Sequence, residues 1–265
     1  MENLIGQGRT ADVYQYDDKV VKVFHHEFTN LANEEFEKGK KINNLGLSAP
    51  HVYELIDIDS KKGIIYEFVH GINMIQVMQK QPLRVNQYAK QLAESHAKIH
   101  SKSIPGLMSV KDSLSSVINN VHILSQAEKA LIIEYIDTLP DGNSICHYDF
   151  HPGNIIVSND TLRVIDWMTM EAGNPCADVC RTGIILNSSV LPPGISFIQQ
   201  IIIKSFRRKL YKKYITHYCN ITGATPEEID KWLLPVAAAR LAEEIQDEAS
   251  YLNNIVSRKL SQLRS

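Results

Sequence analysis

Between residues 145 and 167 the chain carries His147, Asp149, His151, Asn154 and Asp166, five groups able to bond, titrate or ligate. Apolar Ile155-Ile156-Val157, a polar turn at Ser158-Asn159-Asp160 and the run Leu162 to Ile165 predict a β-hairpin among them. Such a hairpin returns Asn154, just before its first strand, to the side of Asp166, just after its second. Two oxygen acceptors held together at the mouth of a rigid ribbon suit a divalent cation. Asp149, five residues ahead of Asn154 on the entering loop, could face whatever that cation holds.

The elements that must position these groups begin at the N-terminus. Gly6-Gln7-Gly8-Arg9-Thr10-Ala11 is followed by β-branched and aromatic residues, then an Asp17-Asp18 turn, then Lys19-Val20-Val21-Lys22-Val23-Phe24. A dinucleotide fold would open a helix after the glycines. This chain opens a second strand, which gives a hairpin with glycines at its tip, the shape of a flap where backbone approaches phosphate. Lys22, fourteen residues after Gly8, either snorkels outward from its strand or points at a phosphate. Residues 31–45 read as a helix stopped by Gly46, with Glu34, Glu35 and Glu37 on its polar side, any of which could pair with Lys22. Strands are expected at His51–Ile56 and Ile64–Val69, with a turn at Lys61-Lys62-Gly63 and a hinge at His70-Gly71.

From residue 72 the periodicity turns helical, punctuated by Pro82, Pro105-Gly106 and Pro140-Asp141-Gly142. The last seventy residues read as helical too, broken at Gly223–Pro226, with one helix expected over Leu233–Leu252. The pattern is α+β, a strand-rich segment 1–69 and a helical segment 70–265. His96 and His100, at i and i+4, share a helix face, but no carboxylate or third histidine accompanies them as a further ligand, so they read as a core or surface pair. Cys176 and Cys180, four apart, lack the second pair that a zinc site needs. A net charge of −2 creates no global field for nucleic acid or membrane surfaces. No apolar run approaches a membrane span and no signal segment is visible, which with four cysteines suits a cytoplasmic protein.

Glycine flap, strand lysine, His-x-Asp-x-x-x-x-Asn and a post-hairpin aspartate, in that order, resemble the aminoglycoside phosphotransferase and choline kinase family. His147 to Asn154 is similar to its H-x-D-x-H-x-x-N loop, Ile165-Asp166-Trp167 to its metal segment, and Asn174-Pro175 to Asp178 to the segment that follows. The resemblance covers roughly residues 4–185 and implies a bilobal protein-kinase-like fold, with a small antiparallel-sheet N-lobe and a larger, mostly helical C-lobe. It implies Asp149 as the catalytic carboxylate and Asn154 and Asp166 as Mg2+ ligands. Gly6, Gly8, Lys22, Glu35, Glu67 and Val69 would bind ATP or GTP, with Glu35 orienting Lys22 and residues 67 and 69 offering backbone groups to the base. His147, His151 and Asp178 would brace the loop, and Trp167 would pack. Two departures stand out: Ala11 replaces the third flap glycine, and Tyr148 stands where the family most often has glycine.

Only eleven residues separate Asp166 from Asp178, too few for the long activation loop of protein kinases, so a small hydroxylated acceptor is expected. An aminoglycoside needs an acidic pocket, for which Glu243, Glu244, Asp247 and Glu248 on a late helix are available, although such a stripe is more often a solvated face. Choline needs an aromatic cage, and tyrosines 211, 214, 218 and 251 are too scattered to show one. Amino-alcohol and sugar kinases, an atypical protein kinase and a nucleotide-binding pseudokinase module are the alternatives. A monomer or weak homodimer is expected.

Overall fold

The computed structural model describes residues 3–159, 161–191 and 194–264; Asp160, in the expected hairpin turn, lies outside them. Strands β1 (Asn3–Gln7), β2 (Ala11–Tyr16) and β3 (Lys19–Phe24) precede helix α1 (Leu31–Asn44), followed by β4 (Val52–Ile58), β5 (Lys61–Glu67) and β6 (Ile72–Asn73). Helices α2 (Met74–Lys80), α3 (Val85–His100), α4 (Val110–Asn119) and α5 (Gln126–Thr138) lead to β7 (Ser144–Cys146), β8 (Ile155–Ser158), β9 (Thr161–Val164) and β10 (Glu171–Gly173). The remaining helices are α6 (Pro175–Leu186), α7 (Phe197–Thr222), α8 (Pro226–Lys231), α9 (Leu233–Arg240) and α10 (Ala249–Arg264). The chain divides into two compact units, residues up to 77 with 152–170, and residues 78–151 with those from 171 on.

In the first unit, five antiparallel strands run in the order β1-β2-β3-β5-β4. Phe24, Ile64 and Val52 pack with Ala32 of α1, and Phe36 and Leu55 close the cluster. Lys22 is paired across from Ile64 and lies two residues from Phe24, so strand alternation puts it on this helix-facing side. The β8–β9 hairpin joins this unit rather than the helical one, because β6 pairs with β8 and Ser48 Oγ donates to Leu162 O. The boundary therefore departs from a single cut after residue 69.

A local expectation changes. The β4–β5 turn falls at Asp59-Ser60, both with positive φ, and Lys61–Gly63 belongs to the strand. Gly63 is there for space: a Cβ would come within 2.9 Å of Ile58 and 3.2 Å of Val21. Gly71 is likewise a close-approach position, where a Cβ would meet Val157 O at 2.5 Å.

The second unit is mostly helical. Helix α3 packs against α7, and α9 against α4, α6 and α10. Leu92, Leu114, Ile132, Tyr214 and Trp232 are among its fully buried side chains. The single helix expected over Leu233–Leu252 is two: α9 ends at Arg240, a 3-10 turn follows, and Glu244 takes φ +52° before α10 begins. Proline and glycine do not mark this break, so the sequence pattern ran straight through it.

Candidate active site

The first unit gathers one cation and two carboxylates. Lys22 Nζ donates to both oxygens of Glu35 at 2.8 Å and to Asp166 Oδ1 at 3.1 Å. Of the three helix glutamates, Glu35 faces inward, whereas Glu34 pairs with Lys38 and Glu37 with Lys40. Tyr66 Oη donates to Glu35 Oε1 at 2.9 Å, a partner that the sequence reading missed because β5 and α1 meet only in the fold. Burial alone would lower the Lys22 pKa, but Glu35 and Asp166 outweigh it and hold the ammonium above its ordinary value. Burial pushes Glu35 upward, and the ammonium pulls it back.

Asp166 is held by the hairpin ladder. Ile165 N–H donates to Asn154 O at 3.0 Å, extending the β8–β9 register by one step and setting Asn154 beside the residue that precedes Asp166. Asn73 Nδ2 donates to Gly153 O at 2.7 Å, and the buried Trp167 donates through Nε1 to Val164 O. Asp166 takes φ +63°, an uncommon conformation for a residue with a side chain and one often found at functional sites. Asn154 and Asp166 offer an amide oxygen and a partly exposed carboxylate, hard donors whose chemistry fits magnesium.

At the flap, Gly6 pairs with Val13 and Gly8 N–H donates to Ala11 O at 2.9 Å, where a Cβ on Gly8 would sit 3.2 Å from that oxygen. Glu67 N–H is taken by His51 O, and its carboxylate binds His51 N–H and Arg163. Val69 lies two residues beyond β5.

The second unit pins the loop that carries Asp149. Three α6 side chains spaced along one face hold its backbone: Asp178 Oδ1 accepts from Tyr148 N–H at 3.1 Å, Arg181 Nε donates to Tyr148 O, and Thr182 Oγ1 donates to Phe150 O at 2.8 Å. Tyr148 has φ +63° and a buried side chain, with Arg181 over its ring at 4.9 Å. The family's glycine would adopt this backbone freely; here Arg181 and Asp178 fix it. Arg181 went unnoticed in the sequence, where it looks like any helix arginine. Asp149 N–H donates to His147 Nδ1 at 3.3 Å, and His151 Nε2 lies 3.6 Å from Asp149 Oδ2. Burial would raise the Asp149 pKa, but His151, Arg181 and His147 together keep it well below the usual carboxylate range.

His96 and His100 do have a carboxylate beside them, contrary to the sequence reading. Asp178 Oδ2 is 3.0 Å from His96 Nε2 and 3.3 Å from His100 Nε2, brought there by α6 from some eighty residues away. Tyr214 and Tyr218 hydroxyls sit 2.6 and 2.7 Å from the two Nδ1 atoms, so these tyrosines are core partners and not part of an aromatic cage. Among the described residues, Cys176 and Cys180 join no ligand cluster. The acidic stripe is also reassigned: Glu243 bridges Arg181 and Arg240, and Glu248 pairs with Arg240 in the core, while Glu244 and Asp247 stay exposed.

Comparison with known proteins places this arrangement. The model of the phosphotransferase enzyme family matches residues 3–211. No curated protein matches the sequence. Among solved structures, an aminoglycoside-3'-phosphotransferase of type VIII superposes with a TM-score of 0.62 at 16% identity, covering 92% of each chain. Aminoglycoside phosphotransferase APH(3'')-Id from Streptomyces rimosus gives 0.60 at 14%, covering 86% of this chain and 89% of its own. These likenesses show a bilobal, protein-kinase-like fold. With its family model spanning most of the sequence, the chain belongs to the phosphotransferase enzyme family.

Proposed function

We propose that this protein transfers the terminal phosphoryl group of ATP, or of GTP, to a hydroxyl of a small molecule. The observation that carries the reading is the buried Lys22–Glu35 pair reaching Asp166, a fixed cation beside a candidate metal ligand. Phosphoryl transfer depends chiefly on positioning and charge neutralisation. Lys22 neutralises nucleotide phosphates, and Glu35 with Tyr66 sets its direction. Asn154 and Asp166 would hold Mg2+, which supplies charge neutralisation at the phosphates. Asp149, kept ionised by its neighbours, accepts a hydrogen bond from the acceptor hydroxyl, orients it and takes its proton late in the reaction. Two of the similar structures are described as complexes with ADP or with ATP, each also with streptomycin.

A small acceptor is favoured because β10 begins at Glu171, so the segment after Asp166 runs almost at once into a strand paired with β7. Of the four acidic residues on the late stripe, Glu243 and Glu248 are bound by arginines, which weakens an aminoglycoside pocket there. Tyr211 and Tyr251 line a cavity of mixed charge, with Arg208, Lys212 and Arg258 beside Glu227 and Asp230. The test is magnesium-dependent nucleotide turnover over a panel of aminoglycosides, choline, sugars and amino alcohols, with Asp149→Ala as control. Turnover should appear with one acceptor class and fall about 10²–10⁴-fold in the variant. Unchanged turnover in the variant would remove Asp149 from its role, and nucleotide binding without turnover on any acceptor would favour the pseudokinase module.

A further inference from the structure

Helix α7 is the longest among the described residues, and none of them covers the apolar face carried by its first turns. Phe197 is 75% exposed, Ile198 69%, Ile201 53% and Ile202 61%. Poor helix formation does not explain this exposure, because Ser196 and Gln199 form a reciprocal capping box that fixes the start of the helix. The next turns change character. Over Phe197–Thr222 there are six lysines and arginines and no aspartate or glutamate, in a chain whose net charge is −2. Arg207 is tied to the carbonyls of Ser188 and Val190, while Lys204, Arg208, Lys209 and Lys212 are exposed.

Helical spacing puts the two sets on the same side. At about 100° per residue, the four apolar positions and the four exposed cations fall within a sector of about 160°. Leu210, Tyr214 and Tyr218, which are buried, occupy the opposite side. The outward face is therefore apolar for about one and a half turns and cationic for about the next two and a half, over a length of about 21 Å from Ile198 to Lys212.

We propose that this face of α7 binds an anionic lipid surface, with Phe197, Ile198, Ile201 and Ile202 entering the interface and Lys204, Arg208, Lys209 and Lys212 meeting lipid phosphates. Exposed apolar residues that can be buried and neighbouring lysines and arginines that attract anionic headgroups supply the two contributions on which interfacial binding depends. A second copy of the chain could cover the apolar turns but would leave the four cations without a partner. Nucleic acid fits the cations but leaves the apolar turns without a role. Such binding needs no membrane-crossing segment, and among the described residues no helix is long and apolar enough to be one.

Flotation of the full chain with vesicles tests this, using phosphatidylcholine alone and phosphatidylcholine with about one third phosphatidylglycerol. The protein should float with the anionic vesicles at low salt and be released as salt rises. Arg208→Glu/Lys209→Glu should weaken partitioning by about fivefold or more per charge, and Ile201→Glu/Ile202→Glu should abolish it. Both double variants should keep the wild-type melting temperature and nucleotide turnover, because all four side chains are exposed. No flotation on anionic vesicles, equal flotation on neutral ones, or flotation unchanged in both variants would overturn the proposal. Sedimentation velocity adds a further check: a dimer split by Ile201→Glu/Ile202→Glu would assign the face to a second copy instead.

Discussion

The Lys22 ammonium lies 3.1 Å from Asp166 Oδ1 across 144 residues of chain, and the same ammonium is held at 2.8 Å by Glu35. One cation thus ties together a sheet strand, a helix and the end of a hairpin within the first unit. Lys22→Met would leave the Glu35 carboxylate buried without its cation, at a cost of about 3–5 kcal/mol. The double variant Lys22→Met/Glu35→Gln should recover much of that loss while remaining inactive. Thermal denaturation with a turnover assay separates the two effects; equal melting of single and double variants would contradict the pairing.

Arg181 acts on Asp149 through the backbone it holds. Arg181→Lys keeps a positive charge but loses the fixed fork that binds Tyr148 O and Glu243 while covering the Tyr148 ring. Misplacing the loop should lower kcat by about 10²-fold, with the KM for nucleotide little changed. Steady-state kinetics checks this, and a loss confined to KM would argue against a positioning role.

Tyr148 Oη is buried with no hydrogen-bond partner among the described residues. Tyr148→Phe removes an unsatisfied hydroxyl and keeps the ring under Arg181, so it should be neutral or stabilise by up to about 1 kcal/mol. Tyr148→Gly relaxes the positive φ but opens a cavity, and should be destabilising by about 2–4 kcal/mol. Chemical denaturation of the two variants orders them, and a destabilised Tyr148→Phe would show that the hydroxyl has a partner.

Burial, with smaller contributions from its neighbours, lowers the His96 pKa from 6.5 to about 4. Between these values the unfolded chain binds a proton that the folded chain refuses. The His96 contribution is therefore complete above about pH 6.5 and is lost as pH falls toward 4, on the order of 3 kcal/mol. The depressed Asp178 carboxylate acts in a separate window, below its ordinary value of 3.8. Urea midpoints measured from pH 7 to 4.5 should fall steadily, and His96→Gln should flatten the slope; an unchanged slope would place the titration elsewhere.

The sequence alone determined the strands and helices with strong local signals. Alternation marked β3 with Lys22 inside it, the aliphatic runs around Asn159 marked the β8–β9 hairpin, and Thr225-Pro226 marked a helix start. It also placed Asp149, Asn154 and Asp166 in one short segment, because the loop and the β8–β9 hairpin that carry them are continuous in the chain. What it left open depended on side chains that meet over long separations. Glu34, Glu35 and Glu37 are equivalent in pattern, and only the packing of α1 on the sheet turns Glu35 toward Lys22. Asp178 reaches His96, and Arg181 reaches Tyr148, through helix placement that periodicity does not encode. Glu243 and Glu248 looked like a polar stripe until the chain bent at Glu244 and gave them arginine partners. Local backbone preference could be read residue by residue, whereas the partner of each buried charge was decided by tertiary structure, since its desolvation is offset only by groups brought from elsewhere in the chain.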